Sequence, residues 1–216
     1  MSSPTDSVQP PRAAVWLVTL FSPAGNEPIA GDLLEEFSRL ASEKGITHGR
    51  HWYWRQAITS IPYLLAAGFR GAPWTVAAIV TGVFLLRWFV SVSSGKAIHG
   101  AIDSVLSRNL LYERDPEAYL FWLTTSLFVV RLIVNVLAGA VVAVTAKGRE
   151  MTATVTLGLA GIVLAIHATV LTIATTGDSG VMWTLPHTFA FSIAIVVAGA
   201  VVRMYRARAA TLRPVP

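Results

Sequence analysis

The 216-residue chain contains no cysteine. Disulfides, thiolate nucleophiles and cysteine-ligated zinc or iron–sulfur sites are thereby excluded, and the redox compartment leaves no trace in the sequence. Charge is scarce as well. Only 13% of the residues are Asp, Glu, Lys or Arg, where soluble domains carry about 25%. Acids are missing above all from the interiors of four long apolar runs. What is present is hydrophobic, 54% of the chain, with a mean hydropathy of +0.58. This composition suits lipid as its main solvent.

A bilayer core about 30 Å thick is crossed by about 20 apolar helical residues. Four stretches qualify, at roughly 73–94, 117–146, 151–176 and 182–205. Backbone polar groups in lipid must be bonded within their own segment, so all four are read as helices. In the connecting segment 96–112, Ile98, Ile102, Val105, Leu106 and Leu110 recur at helical spacing. That spacing predicts an amphipathic helix that lies on the outer leaflet or continues the first span. Asp115 followed by Pro116 reads as the start of the second span helix.

The net charge of +5 is carried by 17 basic residues, all but three of them arginine. Arg50, Arg55 and Arg70 precede the first span, Lys147 and Arg149 separate the second and third, and Arg203, Arg206, Arg208 and Arg213 follow the fourth. The loop "GDSGV" between the third and fourth has no basic residue. By the positive-inside rule both termini face the cytoplasm. The excess of arginine is then a topology signal, and no nucleic-acid partner is expected. The expected fold is an all-α integral membrane protein, with four transmembrane helices over 71–206 and a small cytoplasmic helical head over 12–70. Residues 1–11 are expected to be disordered and 207–216 to form a basic tail.

Within the head, "RAAVWLVTLFSPAG" at 12–25 reads as a short interfacial or packed helix, with a signal-peptide core as the competing reading. "NEPIAGDLLEEFSRLASEKG" reads as a helix capped by Asn26 and ended by Gly45, with Ile29, Leu33, Leu34, Phe37 and Leu40 on one side. Asp32, Glu35 and Glu36 lie mostly opposite, as a face for docking a partner or Arg50 and Arg55. The next helix carries "GRHWYWRQ", residues 49–56. Trp52, Tyr53 and Trp54 interleaved with Arg50 and Arg55 match an interfacial belt that seats the head on anionic lipid.

A "GDLLEEF" helix followed by "WYWRQ" resembles the permease prefix domain found ahead of bacterial ABC permeases of the macrolide-exporter type, especially in acidobacterial sequences. The resemblance covers residues 12–65 and implies a bacterial inner-membrane protein. Beyond it the chain departs from those permeases. Their first two membrane helices are separated by a large extracytoplasmic domain, and here that connection is about twenty residues, so their transport activity is not implied.

Motifs for chemistry are few. "VSVSSGKA" at 90–97 lacks the first glycine of a phosphate loop, and Ala97 replaces the magnesium-binding hydroxyl, so no ATP site is expected. His48 and His51 lack a third ligand, and neither metal nor cofactor is expected. His167 and His187, on the third and fourth spans, leave a haem-carrying redox subunit as a third reading. Intramembrane cations are the most informative feature. Arg131 falls near the centre of the second span with Asn135 one turn on, and Arg87 in the outer half of the first. A charge at such depth costs about 2.5–3.5 kcal/mol on insertion scales and points into a bundle, cavity or partner. Arg131 and Asn135, with Arg87 and His167, are therefore the candidate residues for binding an anion. Taken by itself, Arg87 is read as snorkelling to the outer surface, with a place in the anion site as the alternative.

The third span carries a stripe of small and hydroxyl residues, Thr154, Gly158, Gly161, Ala165, Thr169, Thr172 and Thr176, and the fourth carries Ala194 and Ala198. Such stripes predict close helix packing with hydroxyls bonding across the interface. The function these readings imply is a non-enzymatic accessory or regulatory protein of the inner membrane, associated with an ABC-type transport system. The alternative is a lipid- or small-anion-binding subunit. The expected partners are anionic lipids and another membrane protein or a second copy of the chain.

Overall fold

The computed structural model describes residues 9–22, 27–108, 111–177, 182 and 184–211, with the side chains of 27–30, 91–95, 111–112 and 210–211 left aside. The expected disorder of 1–11 and the tail beyond 211 therefore fall largely outside the described residues, as do Asn26 and the loop at 178–181. The described chain is helical with no strand, and it divides into two compact units after Val76.

The first unit holds α1 (Arg12–Phe21), α2 (Glu27–Lys44) and α3 (Ile46–Arg70). Gly45 separates α2 from α3 at φ +88°, a left-handed conformation that side chains rarely adopt. Ala14 and Val18 of α1, Leu33, Phe37 and Ala41 of α2, and Tyr53, Ala57 and Leu64 of α3 form one buried cluster. The short α1 thus packs on the head, the second of its two expected placements. At Gly49 an added Cβ would lie 3.2 Å from Ala41 Cβ and from the Phe37 ring, so this glycine sets how closely α3 approaches α2. Leu34, expected on the apolar face of α2, is instead 39% exposed.

The second unit contains most of α4 (Pro73–Arg108), then α5 (Leu111–Arg114), α6 (Pro116–Thr145), α7 (Glu150–Thr176) and α8 (Thr184–Thr211). Four stretches are long and apolar enough to cross a membrane: Pro73–Val90, Pro116–Thr145, Glu150–Thr176 and Thr184–Ala209. Segment 96–108 continues the first span as one helix. Asp115 caps α6 as expected, its carboxylate accepting from the Ala118 backbone at 3.0 Å with Pro116 in the first turn.

α8 packs between α6 and α7. A Cβ on Gly139 would sit 2.5 Å from the Ile195 carbonyl oxygen, and one on Gly199 would sit 2.6 Å from the Thr154 hydroxyl. At both points α8 lies too close to its neighbour to admit a side chain. Lipid tails are as apolar as leucine, so the helices gain little from hiding apolar surface and instead gain van der Waals contact by approaching closely. The hydroxyls behave otherwise than expected. Those of Thr154, Thr156, Thr172, Thr175 and Thr176 bond back to carbonyls of α7 itself, while Ser192 donates across to the Gly158 carbonyl at 3.1 Å.

One end of this unit is tied by charge. Arg206 of α8 donates to the Ala143 and Val144 carbonyls at 3.2 and 2.7 Å, and to Glu150 at 2.7 Å. The last carbonyls of α6 have no partners within their own helix, and a cation there complements the helix dipole. Glu150, buried in the first turn of α7, also accepts from the Gly148 backbone at 3.1 Å and lies 3.8 Å from Arg203.

A candidate anion-binding cavity

Arg131 and Asn135 lie one turn apart on α6, and Arg87 reaches them from α4. Asn135 is buried, and both ends of its amide are used: Oδ1 accepts from Arg87 Nη1 at 2.5 Å, and Nδ2 donates to the Arg131 carbonyl at 2.7 Å. Arg87 also stands over the Phe84 ring of its own helix, 5.6 Å from the centroid. Arg87 is thus half-buried and bonded to α6, where the snorkelling reading would have it reach the outer surface. Arg131 makes no side-chain hydrogen bond or ion pair among the described residues.

These three residues line a cavity of about 630 Å³. Lys96 and His99 of α4 complete its polar side, and Val130 and Val134 of α6 with Phe191 of α8 lie among its apolar wall. No Asp or Glu lines it among the described residues. Arg87 and Arg131 within apolar spans, joined by Lys96 and His99 beyond the first of them and with no counter-charge in the described lining, leave an anion as the complementary occupant. A guanidinium offers five donors in a planar fork suited to carboxylate or phosphate oxygens.

Sequence reading did not include Lys96 and His99 in the site. The signal available was their position about two turns or more beyond Val90, where the apolar part of the helix carrying Arg87 ends. His167 is exposed on α7 and does not line the cavity. His187 lines a second cavity of about 360 Å³, with its ring 5.4 Å from the Phe128 ring, and His167 does not line that one either.

The head candidates separate into two groups. Tyr53, expected at the membrane boundary, is fully buried, its ring 5.8 Å from Phe37 in an edge-on contact. It belongs with Gly49, Ala57 and Leu64 on the face of α3 turned to the core. Its hydroxyl is buried without a partner among the described residues, and burial raises its pKa above the ordinary tyrosine value. Trp52 packs partly against the same cluster, whereas Trp54, Arg50 and Arg55 are exposed. On α2, Asp32 and Glu35 are exposed, but Glu36 is engaged within its own helix. It accepts from Arg39 at 3.0 Å through Nε and again through Nη2, and these bonds lower its pKa. That local pairing replaces the expected docking against Arg50 or Arg55.

The fold and cavity together define a multi-pass, all-helical membrane protein with a basic cavity in its spanning unit. The chain matches no protein-family model, no curated protein and no solved structure.

Proposed function

We propose that this protein binds an anionic ligand inside its membrane unit without acting on it chemically. The observation that carries the reading is the 630 Å³ cavity in which Arg87, Arg131, Lys96 and His99 meet no carboxylate among the described residues. Asn135 positions Arg87, and the unpaired Arg131 supplies the principal charge. The ligand class is a phosphate or carboxylate group, borne either by a membrane lipid or by a small molecule. On this reading Lys147, Arg149, Arg206 and Arg208 lie on the cytoplasmic side of a bacterial inner membrane, and both termini face the cytoplasm.

Native mass spectrometry of the purified full chain tests this directly. Expected is an acidic adduct on the wild type, occupied about 10- to 100-fold less in Arg131→Leu, the range set by losing one charge-assisted hydrogen bond. An adduct of lipid mass identifies the membrane source; rebinding of inorganic phosphate or a simple carboxylate identifies the small-molecule source. Equal occupancy in wild type and variant overturns the reading.

A second reading has its own observation. Asp32 and Glu35 are exposed on α2 while Leu33 and Phe37 are buried in the head core. An accessory role beside an ABC-type transport system, suggested by the prefix-like residues 12–65, would use that acidic face to dock a partner. The cavity reading is preferred because exposed acids are ordinary on the solvated side of an amphipathic helix, whereas uncompensated arginines in a span are not. Retention of a co-purifying permease by the wild type and its loss in Asp32→Asn/Glu35→Gln would support the accessory role.

A further inference from the structure

α3 has two faces, and only one is used within the head. Gly49, Tyr53, Ala57, Leu64 and Gly68 turn to the core. Roughly 100° round the helix runs a second apolar row: Trp54, Ile58, Ile61, Leu65 and Phe69, at i, i+4, i+7, i+11 and i+15. Trp54, Ile58 and Phe69 are 38%, 56% and 39% exposed, and Ile61 and Leu65 are half-buried. A row of this regularity on a water-facing helix is costly unless something covers it.

Charge indicates what covers it. α3 contains no acid over its 25 residues, and the exposed Arg50 and Arg55 flank the row at its N-terminal half. The acids described in this unit, Asp32, Glu35, Glu36 and Glu43, all belong to α2. The covering surface is therefore negative where it meets Arg50 and Arg55 and apolar further along. Connectivity narrows it again. Only Gly71 and Ala72 separate the end of α3 from Pro73, where the first span begins, and Trp74 there is 86% exposed. The C-terminal end of α3 must lie at the level of the lipid headgroups.

We infer that the Trp54–Phe69 face of α3 is a membrane-surface binding face for anionic lipid. The helix lies in the interface with its apolar row sunk below the headgroups and Arg50 and Arg55 on their phosphates. The inference stands on the head alone and is independent of the cavity. It also moves the lipid contact away from Tyr53 and Trp52, which serve the core, and onto residues up to Phe69.

The absence of cysteine makes the test clean, because a single introduced cysteine is the only labelling site. Ile58→Cys and Glu35→Cys, both at exposed positions of the full chain, are spin-labelled after reconstitution. The vesicles contain equal parts of phosphatidylcholine and phosphatidylglycerol. Expected at position 58 is high oxygen accessibility with several-fold lower accessibility to a nickel chelate than at position 35. The contrast should shrink in phosphatidylcholine alone and in Arg50→Gln/Arg55→Gln. Equal nickel accessibility at the two positions overturns the inference. So does a label at 58 that is immobilised and shielded from both relaxants, which marks a protein partner or second copy. A contrast unchanged by lipid charge overturns the role of the two arginines.

Discussion

The head and the membrane unit are both built from helices, yet they are put together in opposite senses. In the head, large side chains make the core: Phe37 and Tyr53 are fully buried, and Arg39, Glu36 and Glu43 pair on the exterior. In the membrane unit helices meet tightly at Gly139 and Gly199 and bond across at Ser192, while Leu137, Val163 and Ile193 face outward. Beside its apolar core it also buries polar groups, Asn135 and Glu150 among them. The difference follows from the solvent. Water drives apolar bulk inward at about 1.5–3 kcal/mol for each large buried side chain, and lipid does not. A lipid-facing unit is left to cohere through close backbone approach and through polar groups that have nowhere else to go.

Three measurements bear on that contrast. The largest effect is expected for Phe37→Ala, which should destabilise the head by about 3–5 kcal/mol. In hydrogen exchange on the full chain, protection should fall across α1–α3 and hold across α6–α8. Loss in both regions would break the separation of the two cores. Next, Gly139→Ala puts a methyl where the Ile195 backbone stands, and a strain of about 1–3 kcal/mol is expected from overpacking. Gly82→Ala meets nothing within 4 Å and should leave thermal stability in detergent unchanged. If the two variants melt alike, close approach is not what holds α6 to α8.

The smallest effect concerns Tyr53, whose partnerless hydroxyl is an exception to the rule that water-solvated units bury apolar groups. Tyr53→Phe removes it and should stabilise the head by about 1 kcal/mol. The folded-state pKa is raised, so the folded head holds its proton more tightly than the unfolded chain. This contribution is fully present below the unfolded value of about 10 and is lost as pH rises through the folded one. Alkaline melting of the wild type should be steeper than that of Tyr53→Phe, and parallel curves would show the phenol to be solvated.

The spans could be read from sequence because length and hydropathy together leave few alternatives, and Arg131 and Asn135 because one turn of helix separates them. Tyr53 was misplaced for a physical reason. A cluster of rings and arginines records composition, whereas burial depends on the side of the helix a residue occupies. The spacing Gly49, Tyr53, Ala57, Leu64 and Gly68 held that information. The cavity was half legible. Its α6 wall follows from periodicity, but Lys96 and His99 join it only because α4 continues as one helix past the apolar stretch, which local pattern left open. The tie at Arg206 was invisible, since positive-inside reading treats every such arginine as interchangeable.

Arg206 also carries a consequence for how the molecule is made. Glu150 and its partner are 56 residues apart, and the arginine comes second. At ribosomal speeds of about 5–20 residues per second, the acid waits roughly 3–11 s for its counter-ion. Throughout that interval the α6–α7 hairpin carries an unmatched carboxylate and unbonded carbonyls at one end. Completion of α8 removes both at once, so it is α8, synthesised after α6 and α7, that closes the bundle.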